Sequence, residues 1–299
     1  MDAPTTITLN PVALLALKVA LGMIVAAVAL NLDRAHVAVL RRAPRALLAG
    51  LLSQWLVLPG LTVALILLWS PPPGIALGLL LVAACPGGNA SNYFCLVARA
   101  NPALSITLTT VSTLLTPLTL PLLFAAGTAI VGLSATATAP KVAVLPLLME
   151  LLLIIVLPLG LALLLRRQTP ALADRVRTPL RRFAALILLG IVIAGLMQAP
   201  VRQVDTMGLW ALVALHNALA LAAGYTVGAL ARLQEAERRT LAFETGLQNA
   251  GLGLVIILTH LGGVFEMALV AAIWGLWHLV SGAGLALLWS RFPPAERRL

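Results

Sequence analysis

The sequence predicts an all-α polytopic membrane protein, and three observations carry that prediction. Hydrophobic residues make up 61% of the chain and charged residues 10%, with a mean hydropathy of +1.03. A water-facing domain carries about 25% charged residues and less than about half apolar ones. The apolar stretches recur at the roughly 20-residue length that an α-helix needs to cross a bilayer. The arginines, finally, fall in alternate loops.

Nine segments read as spans: 11–31, 46–69, 75–99, 103–132, 144–165, 183–201, 209–231, 241–262 and 268–290. Turn residues separate several of them, notably Ser70-Pro71-Pro72-Pro73-Gly74 and the region of Pro179. The fourth run exceeds one crossing, so it either tilts or breaks near Pro117 and Pro121. An odd count places the two ends on opposite faces. One face collects Arg34, Arg41, Arg42 and Arg45, then Arg99, the cluster from Arg166 to Arg182, then Arg232, Arg238 and Arg239, and finally Arg291, Arg297 and Arg298. The other holds only Lys141 and Arg202. Cytoplasmic loops carry the excess of basic residues. The N-terminus is therefore expected outside and the C-terminus in the cytoplasm, in the cytoplasmic (inner) membrane. The net charge of +10 is an orientation signal, and nucleic acid is not an expected partner. Trp69, Trp210 and Trp289 sit near span ends, where indole rings anchor at the interface. Cys85 and Cys95 share one apolar segment and give no disulfide framework.

Two spans are interrupted. The third contains Cys85-Pro86-Gly87-Gly88-Asn89-Ala90-Ser91-Asn92, and the eighth Glu244-Thr245-Gly246-Leu247-Gln248-Asn249-Ala250-Gly251. Unwound backbone survives inside a membrane only where protein or a watery cavity satisfies it. Broken helices at corresponding positions of two halves point to the central site of a secondary transporter. The two segments lie five apart and so cross in opposite directions, as an inverted repeat of five-helix halves requires, with the first half missing its first helix. Glu244 costs roughly 2.5–3.5 kcal/mol at a membrane centre, so it faces a cavity or binds a cation. Its oxygen-rich surroundings suit sodium, a hard cation. Ser105, Thr109, Ser112 and Thr116 form one stripe on the fourth span. Such hydroxyls also commonly bond back to their own helix. Gln54 is the lone amide of the second span, and alone it reads as interhelical glue.

These stretches resemble the bile acid:sodium symporter family. The matching residues are Cys85-Pro86-Gly87-Gly88 with Ser91-Asn92; Asn101, Leu104-Ser105 and Thr109-Thr110-Val111-Ser112-Thr113; Leu215-His216-Asn217; Glu244, Gly246, Gln248-Asn249 and Gly251; and Trp277-His278 with Ser281-Gly282. Gly22-Met23, Asn31-Leu32, Gln54 and Pro59 sit at fitting distances, so the likeness runs from about residue 17 to 290. It implies an inverted-repeat fold of two domains, with the broken helices 75–99 and 241–262 crossing in the core domain. That core would comprise about 46–132 and 209–290, and the panel domain about 11–31 and 144–201. It implies two sodium sites, the first of Ser91, Asn92, Ser105, Thr109 and Glu244. The second would use Gln54, Glu244 and Gln248 with carbonyls at Thr245 and Leu247. The substrate, a small carboxylate or bile-acid-like anion, would lie beside the crossover near Gly88, Asn89, Ala90 and Asn249, with His278 lining the cavity. Helix N-termini there favour a carboxylate. Three departures stand out. The usual ten-helix pattern has one more N-terminal helix, Asn89 stands where threonine is common, and Leu279 where asparagine usually follows Trp-His.

The expected function is sodium-coupled symport of an organic anion by alternating access, with two sodium ions per substrate, by a monomer in the lipid bilayer. The alternative is a proton-coupled or efflux carrier of the same fold with Glu244 titrating, but a proton site needs far fewer neutral oxygens. An enzyme is not expected, for want of an intramembrane Asp pair, a supported Ser-His arrangement or a His-rich metal motif. Zinc, iron and metalloid transport through Cys85 are disfavoured likewise. His216 and Asn217 read as a packing pair or a gate, and His260 as reaching water near the outer end of its helix. Glu150 lines an entrance or pairs across helices, and Lys18 snorkels toward an interface.

Overall fold

Proline and asparagine set several helix starts in the computed structural model, which describes residues 6–32, 34–133, 144–197 and 206–294. Asn10 accepts from the amide of Ala13 at 2.8 Å and is followed by Pro11; Asn101 does the same for Leu104 at 3.0 Å and is followed by Pro102. Proline at the first helical position gives up an amide that has no intrahelical partner anyway. The helices are α1 (Pro11–Ala29), α2 (Arg34–Arg42), α3 (Pro44–Trp69), α4 (Pro73–Ala84), α5 (Ala90–Val97) and α6 (Pro102–Ile130). They continue with α7 (Leu145–Gln168), α8 (Pro170–Met197), α9 (Thr206–Leu230), α10 (Glu235–Gly246), α11 (Ala250–His260) and α12 (Phe265–Ser290). Lys141, Arg202, Arg297 and Arg298, which enter the topology reading, lie outside the described residues, as does the sixth segment beyond residue 197.

Among the described residues there is no strand, and six helices are long and apolar enough to cross a membrane: α1, α3, α6, α7, α9 and α12. The chain is a multi-pass α-helical membrane protein. Each interrupted segment is two helices end to end, α4 with α5 and α10 with α11. The expected span 183–201 begins inside α8, and α2 is a helix where only a basic loop was expected. Pro117 and Pro121 do not break α6, which continues through both. Helices tolerate proline in a membrane protein where neighbours re-satisfy the freed backbone groups.

Proline acts differently in α3. Pro59 has no amide to give, and just before it the helix widens over Ser53–Val57, with the Leu58 amide donating to the Ser53 carbonyl five residues back. Such π-turns often occur at functional positions, and this one carries Gln54 into the interior. Leu152–Val156, just before Pro158 in α7, repeats the device.

α1 packs against α7 and α8, while α4 lies against α6 and α12, and α9 against α10. α4 is buried at every position from Gly74 to Ala84, an inner helix wrapped by others. The exterior carries fully apolar side chains such as Leu68, 85% exposed, which in a membrane protein face lipid. Arg239, counted among the loop arginines, is buried instead. Its guanidinium donates to the carbonyls of Ala98 and Trp289 at 3.1 Å and of Phe292 at 2.7 Å, tying the ends of α5 and α12 to α10. Trp289 packs on Phe243 and Arg239, whereas Trp69 is exposed.

The α9–α10 contact is made at backbone distance. A Cβ on Gly224 would collide with the carbonyl of Leu241 and lie 2.8 Å from Thr245 Oγ1. Overpacking of this kind costs about 1–3 kcal/mol. Gly224→Ala is expected to lower the melting temperature in detergent, whereas Gly60→Ala, with nothing within 4 Å of its Cβ, is expected to leave it unchanged.

Candidate functional site

The first break follows from proline chemistry. Cys85 precedes Pro86, which disfavours the helical conformation, and it adopts an extended one (φ −68°, ψ 153°). The second break has no proline and is held by its neighbours. Asn217 in α9 donates its side-chain amide to the Gly246 carbonyl at 2.7 Å, while its oxygen accepts from Ser281 at 2.5 Å. The two breaks also satisfy one another. The Gly88 amide donates to the Leu247 carbonyl at 2.5 Å, the Asn249 amide donates to the Pro86 carbonyl at 2.9 Å, and Gly87 pairs antiparallel with Gln248. So short a separation would crowd a Cβ on Gly88, which would sit 3.0 Å from the Gln248 carbonyl oxygen.

Beside this pairing lies Glu244, fully buried. Three elements aim polar groups at its carboxylate. Ser91 of α5 donates to Oε1; Ser105 and Thr109 of α6 donate to the same oxygen at 2.5 and 3.0 Å; Gln54 of α3 donates to Oε2 at 3.3 Å. Asn92 joins through Ser105, whose hydroxyl reaches its side-chain oxygen at 2.8 Å. The five residues expected at the first sodium site thus form one network. The stripe on α6 divides: Ser112 and Thr116 bond back to carbonyls of their own helix.

The second expected set is assembled only in part. Gln248 places its amide nitrogen 2.8 Å from the Thr245 carbonyl and 3.3 Å from that of Glu244. The Leu247 carbonyl is taken by Gly88, and the Thr245 hydroxyl by Ser53 at 2.6 Å. The side-chain oxygens of both Gln54 and Gln248 are buried and find no hydrogen-bond partner among the described residues. Buried acceptors seldom stay unpartnered, and an ion or a water is one explanation.

The expected substrate contacts are dispersed more widely. Asn89 and Asn249 stand at the N-termini of α5 and α11, each half-buried, with Gly88 and Ala90 beside the first. Asn249 caps the Leu252 amide at 3.1 Å. His278 is buried on α12 and spends Nδ1 on the Trp274 carbonyl.

Two roles escaped the sequence. Asn217 braces the second break while its neighbour His216 turns away to Thr62 and the Trp274 ring. Asn217 shares a face with Gly224 and Gly228, the close-packed side of α9, and that spacing was a legible signal. Ser53 meets Thr245 with no comparable signal. Glu150 ion-pairs with Lys18 at 2.8 Å and lies 3.1 Å from His260, linking α1, α7 and α11.

Comparison with known proteins agrees with this architecture. Residues 18–204 match the sodium bile acid symporter family. The chain is 28% identical over 91% of its length to an uncharacterized sodium-dependent transporter, YocS, of Bacillus subtilis, covering 82% of that protein. It is 28% and 30% identical to the probable chloroplastic sodium/metabolite cotransporters BASS1 of Oryza sativa and Arabidopsis thaliana, over 90% and 85% of the chain. It spans only 64% and 61% of those two proteins. With a match over more than half its length, the chain belongs to the sodium bile acid symporter family.

Proposed function

We propose that the protein is a sodium-coupled symporter of a small organic anion, binding two sodium ions per substrate and working by alternating access. The observation that carries this reading is the setting of Glu244: a buried carboxylate amid neutral oxygens from α3, α5 and α6, with two unpartnered carboxamide oxygens at Gln54 and Gln248. The hydroxyls that donate to Glu244 in the structure can equally turn their lone pairs to a cation. Sodium at the first site would take Ser91, Asn92, Ser105, Thr109 and Glu244. At the second it would take Gln54, Glu244 and Gln248 with carbonyls near Thr245 and Leu247. One shared carboxylate offsets part of the repulsion between two cations.

Sodium bound first orders both breaks, which completes the anion site at the N-termini of α5 and α11, so the anion prefers the loaded state. The core, about 46–132 and 209–290, then moves against a panel of about 11–31 and 144–201. The nine-span topology with the N-terminus outside the inner membrane follows the arginine distribution. A monomer contains every residue the site needs.

Uptake of radiolabelled pyruvate, pantoate and taurocholate into proteoliposomes, driven by sodium or by choline, tests the reading. Two sodium ions with a monoanion move one net charge, worth about 2.3 kcal/mol per 100 mV. An inside-negative potential is expected to raise accumulation of the carried anion. Sodium-independent uptake that follows a pH gradient would favour a proton-coupled carrier with Glu244 titrating. Gln248→Ala is expected to reduce the Hill coefficient for sodium from near two to near one, leaving the first site in place. An unchanged coefficient would remove Gln248 from the second site.

A further inference from the structure

A polar cavity lies between α1 and α8, away from Glu244. Ala27 and Asn31 of α1 and Arg177, Thr178 and Arg181 of α8 line its volume of about 230 Å³. That is several times the roughly 30 Å³ share of one water. Arg177 is held in place by donating to Asn31 at 3.1 Å and lies 3.6 Å from Asp174. Asp174 is already committed to Arg166 at 2.5 Å. Among the described residues nothing pairs with Arg181. Two guanidinium groups one turn apart repel each other, and a shared anion relieves that repulsion. From Arg166 to Arg182 the chain carries Arg166, Arg167, Arg175, Arg177, Arg181 and Arg182 against Asp174 alone.

Next to this cavity runs an apolar one of about 860 Å³ between α1, α7 and α8, lined by Leu15, Met23, Leu30, Leu161, Leu165 and Leu180 among others. The two share neighbouring residues: Ala26 and Leu30 line the apolar groove, and Ala27 and Asn31 the polar cavity. Val176 and Leu180 of α8 alternate with Arg177 and Arg181 in the same way. At the far end of the groove the charges of Lys18 and Glu150 answer each other. An arginine-lined recess at the end of an apolar groove matches one molecule, a negatively charged head on a hydrocarbon tail.

We propose that an anionic phospholipid binds here, with its phosphate between Arg177 and Arg181 and an acyl chain in the groove. Guanidinium forks fit phosphate oxygens in pairs, and basic pockets between membrane helices recognise anionic headgroups. The site stands apart from the sodium reading and survives its failure.

The test is the melting temperature of the delipidated full-length protein in detergent. The additions are dioleoylphosphatidylglycerol, dioleoylphosphatidylcholine, or inorganic phosphate at matched ionic strength. Phosphatidylglycerol is expected to raise the melting temperature of wild type and of Arg175→Gln, an exposed arginine outside the cavity. In Arg181→Gln the shift is expected to fall by at least half. An equal shift in Arg181→Gln, or an equal shift from phosphatidylcholine, would overturn the proposal. So would a full shift from inorganic phosphate alone, which would make this a soluble-anion site. If Arg181→Gln does not fold, native mass spectrometry of wild type decides. Retention of phosphatidylglycerol over phosphatidylcholine supports the site, and equal retention sinks it.

Discussion

Alanine in place of Glu244 is expected to abolish the stabilisation of the purified protein by sodium chloride over choline chloride. A ligand at one hundred times its dissociation constant stabilises by about 2.7 kcal/mol per site. Because both proposed sites share this carboxylate, both contributions should vanish together, and sodium-driven uptake with them. Glu244→Gln separates charge from shape. Glutamine can still accept from Ser91, Ser105 and Thr109, whose hydroxyls now reach Glu244, but it lacks the negative charge that offsets a buried cation. It should therefore melt near wild type in choline and gain nothing from sodium. A sodium response that survives in either variant would place the cation elsewhere.

The second large effect is expected from a single methyl group. A Cβ on Gly87 would lie 2.7 Å from Glu244 Oε2 and 3.4 Å from the Gln54 side-chain nitrogen. Gly87 has no positive φ, so alanine strains no backbone there and acts through that contact alone. The carboxylate must swing off its partners or the paired breaks must part, at about 1–3 kcal/mol. A sodium titration of the melting temperature should show the apparent dissociation constant raised about tenfold or more. Gly253→Ala is the matched control, since its Cβ meets only Cys85 Sγ, at 3.5 Å, an ordinary contact. Equal sodium responses in the two variants would mean that Gly87 does not border the cation.

What was legible in the sequence was whatever an apolar background makes conspicuous. Glu244, Gln54 and the Pro86-Gly87-Gly88 run stand out because each is costly in a membrane unless something answers it. The structure brings Ser91, Ser105, Thr109 and Gln54 to Glu244 as the answer. The hydroxyl stripe was legible as a stripe, yet its division was not. Whether Thr109 or Thr116 turns outward from α6 depends on which neighbour lies alongside, which spacing does not encode. Ser53 was invisible for a similar reason, and Asn217 was legible as a packing residue but not by its partner, since Thr245 and Gly246 belong to another helix. Pro117 and Pro59 show the limit of local rules. One is absorbed by a continuous helix and the other follows a widened turn, although both remove an amide.

The mutual pairing of the two breaks has a consequence for how the protein is made. Glu244 follows Ser91 by 153 residues, and Leu247 and Asn249 come later still. Until they emerge from the ribosome, the Gly88 amide and the Pro86 carbonyl lack the partners that they have in the finished structure. Bare backbone of this kind is not tolerated in hydrocarbon. The α4–α5 segment therefore has no stable lodging in lipid when it first appears. It must wait in a wet or protein-lined shelter through the synthesis of α6 to α9. Nascent chains halted before α10 should thus leave α4–α5 open to water-borne labelling, and release to completion should bury it.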